Sequence, residues 1–186
     1  MPVDYPVVLA GLALPVPKVM VLRRYVSECD LVRLSPPNYL FTSGYPGRYN
    51  SDGVLALYAS EDAATAGEEW ERRARQLPRL PRQLVYFVEF SVPILDLGNA
   101  ATLEALELTQ ADLTAPWEFV LAATMTQRLG DAVAAQQRFG GIRFASDAAR
   151  LRGFVGFNIV LFRTAIAAPN FVVVRQDDRR EIQRWP

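Results

Sequence analysis

The sequence has 186 residues, 51% apolar and 22% charged, with 20 basic side chains against 20 acidic ones. That is enough chain for one domain with a full core and too little for two, and the charge balance argues against a protein built to grip nucleic acid, which carries a basic excess. Histidine is absent, which removes Ser–His–Asp and Cys–His catalysis, histidine-ligated zinc and any imidazole base, while the single cysteine, Cys29, can form no intrachain disulfide and suits a reducing cytoplasm.

In chain order, Val7 to Leu14 is apolar but bounded by Asp4, Pro15, Pro17 and Lys18. A membrane span needs roughly 20 apolar residues, and a secretory signal needs a basic start. The stretch therefore reads as a strand or a buried extended arm, and residues 1–18 as an arm ahead of a domain at 19–186. Residues 19–26 predict a strand with Arg23 and Arg24 on opposite faces, one outward and the other toward something polar, such as an anion site. Residues 34–53, rich in Pro, Gly, Ser, Asn and Tyr, read as a long loop, functional or disordered. Residues 54–59 predict a buried strand.

Ser60 reads as the N-cap of a helix over 61–76 that Pro78 stops, with an apolar stripe of Ala63, Ala66, Gly67, Trp70, Ala74 and Leu77. Strands are expected at 83–90 and 94–97, and helices near 101–108 and 116–138. The second of these helices starts at Thr114–Pro116, is bent or broken at Gly130, and ends at Gly140–Gly141. Strands follow at 142–145, 157–163 and 171–175. A short Ser146-capped helix runs to about Arg152, and the charged tail ends in a short strand or a loose segment. Strands and helices mix without βαβ alternation, which predicts α+β.

No Walker loop, GxGxxG, CxxC or HExxH occurs. Singly, each polar candidate has a plain structural reading. Arg48 is a loop arginine whose fork also suits phosphate. Tyr58 is a core tyrosine or a ring that stacks on a heterocycle. Glu69 is one of several i, i+4 charges on a solvated helix, yet it borders the apolar stripe. Ser146 is an N-cap. Asn158 interrupts an apolar run and bonds either a buried backbone group or a ligand.

Together, in order and spacing, these residues resemble the RES family. The resemblance runs through Arg24-Tyr25, Gly47-Arg48-Tyr49-Asn50 with Gly53, Leu57-Tyr58-Ala59-Ser60, Glu69, Trp117, the stretch Gly141 to Ser146, and Asn158, over roughly residues 20–163. Ala145 stands where the family usually has proline. The resemblance implies a fold similar to ADP-ribosyltransferase toxins, with a mixed, split β-sheet, flanking helices and a cleft for NAD⁺ as substrate. It implies a cytoplasmic toxin of a toxin–antitoxin pair that breaks the nicotinamide–ribose bond by hydrolysis or phosphorolysis. The alternatives are a protein ADP-ribosyltransferase using the same pocket and a non-enzymatic interaction protein. Glu69 and Arg48 would be catalytic, and Arg24, Tyr25, Arg48, Tyr58, Ser146 and Asn158 would bind NAD⁺. The partners it implies are an Xre-type antitoxin, phosphate as a possible acceptor and a second copy of the chain, with no metal, nucleic acid or membrane.

Overall fold

In the computed structural model, which describes residues 3–27, 40–41, 45–76, 82–118, 122–176 and 180–186, the chain begins with a helix, α1 (Tyr5–Gly11), where a strand or extended arm was expected. Asp4 caps it, its carboxylate accepting from the Val7 amide, and Pro6 sits in the first turn, where its missing N–H costs nothing. Tyr5 and Leu9 are buried. The Pro-rich segment at 13–19 has no regular structure.

The remaining elements are β1 (Met20–Ser27), β2 (Ala56–Ser60), α2 (Ala63–Ala74), β3 (Gln83–Ser91), β4 (Ile94–Asp96), α3 (Ala100–Ala105), α4 (Gln110–Thr114), α5 (Met125–Gln136), β5 (Gly141–Ala145), α6 (Asp147–Leu151), β6 (Phe157–Phe162), β7 (Phe171–Gln176) and β8 (Glu181–Trp185). The fold is α+β. The described strands form one mixed sheet in the order β4-β5-β6-β2-β1-β3-β7-β8. Among the described strand pairs only β4–β5 is parallel. β1 pairs with β3 along its whole length but meets β2 at a single facing pair, Arg23 and Ser60. The sheet thus has a narrow waist at β1–β2, compatible with a split sheet.

Alternating side chains fill two cores. Ala56, Ile142, Phe144, Val160 and Phe162 pack with α1 and α5 on one face. Leu22, Val26, Leu57, Val88, Ile159, Leu161, Val172 and Trp185 fill the other.

Several boundaries differ from the sequence reading. α2 is capped by Asp62 rather than Ser60, which is the last residue of β2, and Ala63 of the expected stripe is exposed. Leu77 and Pro78 lie outside the described residues. The expected helix at 116–138 starts only at Met125, where Thr124 and Gln127 form a reciprocal capping box, and Thr114 instead ends the separate helix α4. α5 stops at Gln136 with Gln137 in the left-handed conformation, and Gly141 belongs to β5.

Candidate active site

The register of four strands lines up one row of side chains on the α5 face. Phe144 of β5 faces Asn158 of β6, Asn158 faces Ser60 of β2, and Ser60 faces Arg23 of β1. Facing residues share a side of the sheet, and Phe144 belongs to the core under α5. Ser60 and Asn158 are therefore presented together where β2 ends and β6 begins.

α2 brings Glu69 to this row. Its N-cap, Asp62, accepts from the Thr65 amide at 2.8 Å and the Thr65 hydroxyl at 2.7 Å. Burial works to raise the Asp62 pKa, but these bonds and the charge of Arg23 outweigh it and hold the pKa below the ordinary aspartate value. Two turns further on, Glu69 Oε1 accepts from Ser146 Oγ at 2.7 Å and from Asn158 Nδ2 at 2.7 Å. Ser60 Oγ donates to Asn158 Oδ1 at 2.7 Å, which leaves the amide's NH₂ end for the carboxylate. Ser146 also caps α6, its Oγ accepting from the Ala149 amide at 3.1 Å. Ser60, Ser146 and Asn158 are buried. Glu69 is half-buried among neutral donors, where a charge interacts more strongly than in water.

The structure thus brings together Glu69, Ser146 and Asn158 of the sequence candidates. It adds Ser60, which reads in sequence as a cap; its place two residues beyond Tyr58 on one strand face was the available signal. Arg24 and Arg23 are split as the alternation requires. Arg24 alternates with Arg23 along β1, in step with Leu22 and Val26, and its guanidinium bonds the Tyr58 carbonyl. Arg23 is the arginine of the pair in the row, half-buried, with its guanidinium 5.7 Å from the Phe87 ring. Tyr25 is half-buried on the Arg23 side of β1.

Tyr58 and Arg48 work on the loop between β1 and β2. The Tyr58 hydroxyl accepts from the Tyr49 amide at 2.9 Å and donates to Asn50 Oδ1 at 2.8 Å. Burial raises the Tyr58 and Tyr49 phenols above their ordinary pKa, so both stay neutral. Asn50 Nδ2 in turn holds the Tyr45 and Val54 carbonyls. Arg48 Nη1 caps the end of α4 through the Leu113 and Ala115 carbonyls, at 2.7 and 3.0 Å. From the other side, Gln127 donates to the Gly47 carbonyl, and Asp131 accepts from the Ser51 amide. Between them Gly130 lets α5 approach so closely that a β-carbon there would collide with the Tyr49 carbonyl. The helix runs unbroken through Gly130, which makes room for the loop.

A family model described as the RES domain matches residues 30–184. The chain belongs to the RES domain family. Membership makes this RES domain, in general terms, a toxin-type, NAD-related domain of a family associated with antitoxin partners. No curated protein matches the chain. In the described residues of the RES domain no helix is long and apolar enough to cross a membrane, and no group of three or more Cys, Asp or Glu side chains is placed to hold a metal ion.

Proposed function

We propose that this RES domain is an enzyme that cleaves the nicotinamide–ribose bond of NAD⁺ and works as the toxin of a cytoplasmic toxin–antitoxin pair. The observation that carries the reading is the Glu69 carboxylate, held on one oxygen by two neutral donors, Ser146 and Asn158. Breaking the glycosidic C–N bond sends its electron pair to nicotinamide, which leaves neutral, and builds positive charge on the ribose. A fixed carboxylate stabilises that charge without rearranging, and needs no histidine to protonate the leaving group.

In this reading Glu69 faces the ribose, and Ser146 and Asn158 keep its carboxylate aimed while offering their remaining hydrogen-bonding capacity to the substrate. Arg23, in the same row, replaces Arg24 as the strand arginine that meets an anionic part of NAD⁺. Arg48 holds the pyrophosphate from the loop that Tyr58 and α5 keep rigid, and Tyr25 packs beside the bound nucleotide. Water or phosphate then captures the ribosyl cation at its anomeric carbon.

The test is to incubate the purified protein with NAD⁺, with and without phosphate, and follow nicotinamide. Release that depends on phosphate identifies a phosphorylase, and release without it a glycohydrolase. Label that ends on a protein instead of on free ADP-ribose identifies a transferase. No release under any condition refutes the enzymatic reading.

A further inference from the structure

Directly behind the Glu69 row, on the opposite face of the sheet, lies a second polar cluster built on Arg143. Its neighbours Ile142 and Phe144 point into the α5 core, so Arg143 points the other way. Its Nε and Nη2 bond the two oxygens of Glu61, at 2.6 and 3.2 Å, in a bidentate pair. Its Nη1 meets both oxygens of Asp96 on β4, at 3.1 and 3.3 Å. The guanidinium lies 3.5 Å from the centre of the Phe157 ring. Arg143 and Glu61 are largely withdrawn from solvent, at 23% and 22% side-chain exposure, so this pair is screened less than the exposed pairs that join α2 to α6.

The partners of Arg143 are sequence neighbours of the site. Glu61 follows Ser60 and precedes Asp62, the cap of α2. Phe157 precedes Asn158. Arg143 itself stands three residues before Ser146. One side chain thus ties β4, β5, β6 and the β2–α2 corner together at the point where Ser60, Asn158 and Ser146 are presented.

We propose that Arg143 is a positioning residue for the Glu69 cluster, acting through Glu61 on the direction of α2 and through Phe157 on Asn158. The lever is long. Asp62 and Glu69 are separated by about 10 Å of helix, so a tilt of about 6° at the corner moves the carboxylate by about 1 Å. A displacement of that size costs up to about 100-fold in rate even when the altered residue is far from the reacting atoms. The kinetic arm of the test rests on the NAD⁺-cleavage reading; the spectroscopic arm does not.

Arg143→Met is compared with Arg175→Met, which removes a part-buried arginine bonded to Glu89 across β3 and β7, on the fourth strand along the sheet from Asn158. Each is assayed well below its melting temperature for kcat, for KM toward NAD⁺, and for the NMR signal of the Asn158 side-chain amide. Arg143→Met lowers kcat by roughly 10- to 100-fold, keeps KM within about threefold, and moves the Asn158 amide signal. Arg175→Met lowers the melting temperature and leaves kcat and that signal at their wild-type values. Arg143→Lys keeps a cation and recovers part of the loss. If Arg143→Met does not fold, Glu61→Gln and Arg143→Lys carry the same comparison. Wild-type kcat and an unmoved Asn158 signal in folded variants overturn the proposal, as does an equal loss of kcat in Arg175→Met. If the wild-type protein releases no nicotinamide, the proposed function fails, and the Asn158 signal alone decides the positioning role.

Discussion

Glu69→Gln separates charge from shape at the centre of the site. Glutamine retains Oε1, so it still accepts from Ser146 and Asn158, each now at 2.7 Å. What changes is that two charge-assisted bonds become neutral ones. A bond to a charged group is worth about 1.5–3 kcal/mol and a neutral one about 0.5–1.5 kcal/mol, so the two lose about 2 kcal/mol between them. Relief of the cost of holding a half-buried charge offsets much of this, so the melting temperature stays near wild type. The transition state has no such offset. Losing an electrostatic contact aimed at developing charge costs about 3–4 kcal/mol, or about 100- to 1,000-fold in kcat. NAD⁺ affinity, which depends on the whole nucleotide, changes little. The assay is nicotinamide release at saturating NAD⁺, with calorimetric binding alongside. A well-folded Glu69→Gln protein with near-wild-type kcat would show that the carboxylate does not stabilise the ribosyl cation.

Four further outcomes follow from the geometry. Arg23→Ala weakens NAD⁺ binding measured by calorimetry, whereas Arg24→Ala lowers the melting temperature more than the affinity; the reverse order would refute the face assignment read from the β1–β2 register. Tyr58→Phe strips the Tyr49 amide of its partner and costs about 1–3 kcal/mol in a denaturant titration. Gly130→Ala forces a β-carbon onto the Tyr49 carbonyl and costs about 1–3 kcal/mol, while Gly67→Ala in α2, where nothing crowds the new carbon, stabilises by about 0.5–1 kcal/mol. Because the folded pKa of Asp62 is depressed, its contribution is fully present above its unfolded value of about 3.9 and is lost as pH falls through the folded value. Asp62→Asn, which keeps a capping oxygen, flattens the acid side of the stability–pH curve measured by thermal melts.

What the sequence determined by itself was carried by short-range chemistry. The strands at 20–27, 56–60, 83–91 and 157–162 were legible because β-branched and aromatic runs bounded by Gly, Pro and Ser have few other uses. The order of Arg48, Tyr58, Glu69, Ser146 and Asn158 carried the family, and the α+β class followed from the irregular mixture of elements. Helix boundaries were less legible, because neighbouring caps compete. Ser60 and Asp62 can each start α2, and the choice falls to Asp62 because Ser60 is needed to bond Asn158 from the end of β2. Likewise α1 is a helix because α5 offers it a surface: Tyr5 and Leu9 are buried, and the Gln136 and Arg138 side chains hold the carbonyls of Pro6, Ala10 and Leu12.

Which arginine shares a row with Ser60 and Asn158 was beyond the reach of local sequence. Arg23 and Arg24 are adjacent and chemically identical, and a strand sends them to opposite faces. Which face holds Glu69 depends on the pairing of Arg23 with Ser60 and of Ser60 with Asn158, contacts between residues far apart in the chain. The same holds for Gly130, whose purpose is the loop that packs on it, and for Arg143, whose partners come from three other segments. Local sequence sets the direction of each side chain relative to its own backbone; strand register and packing set what it meets.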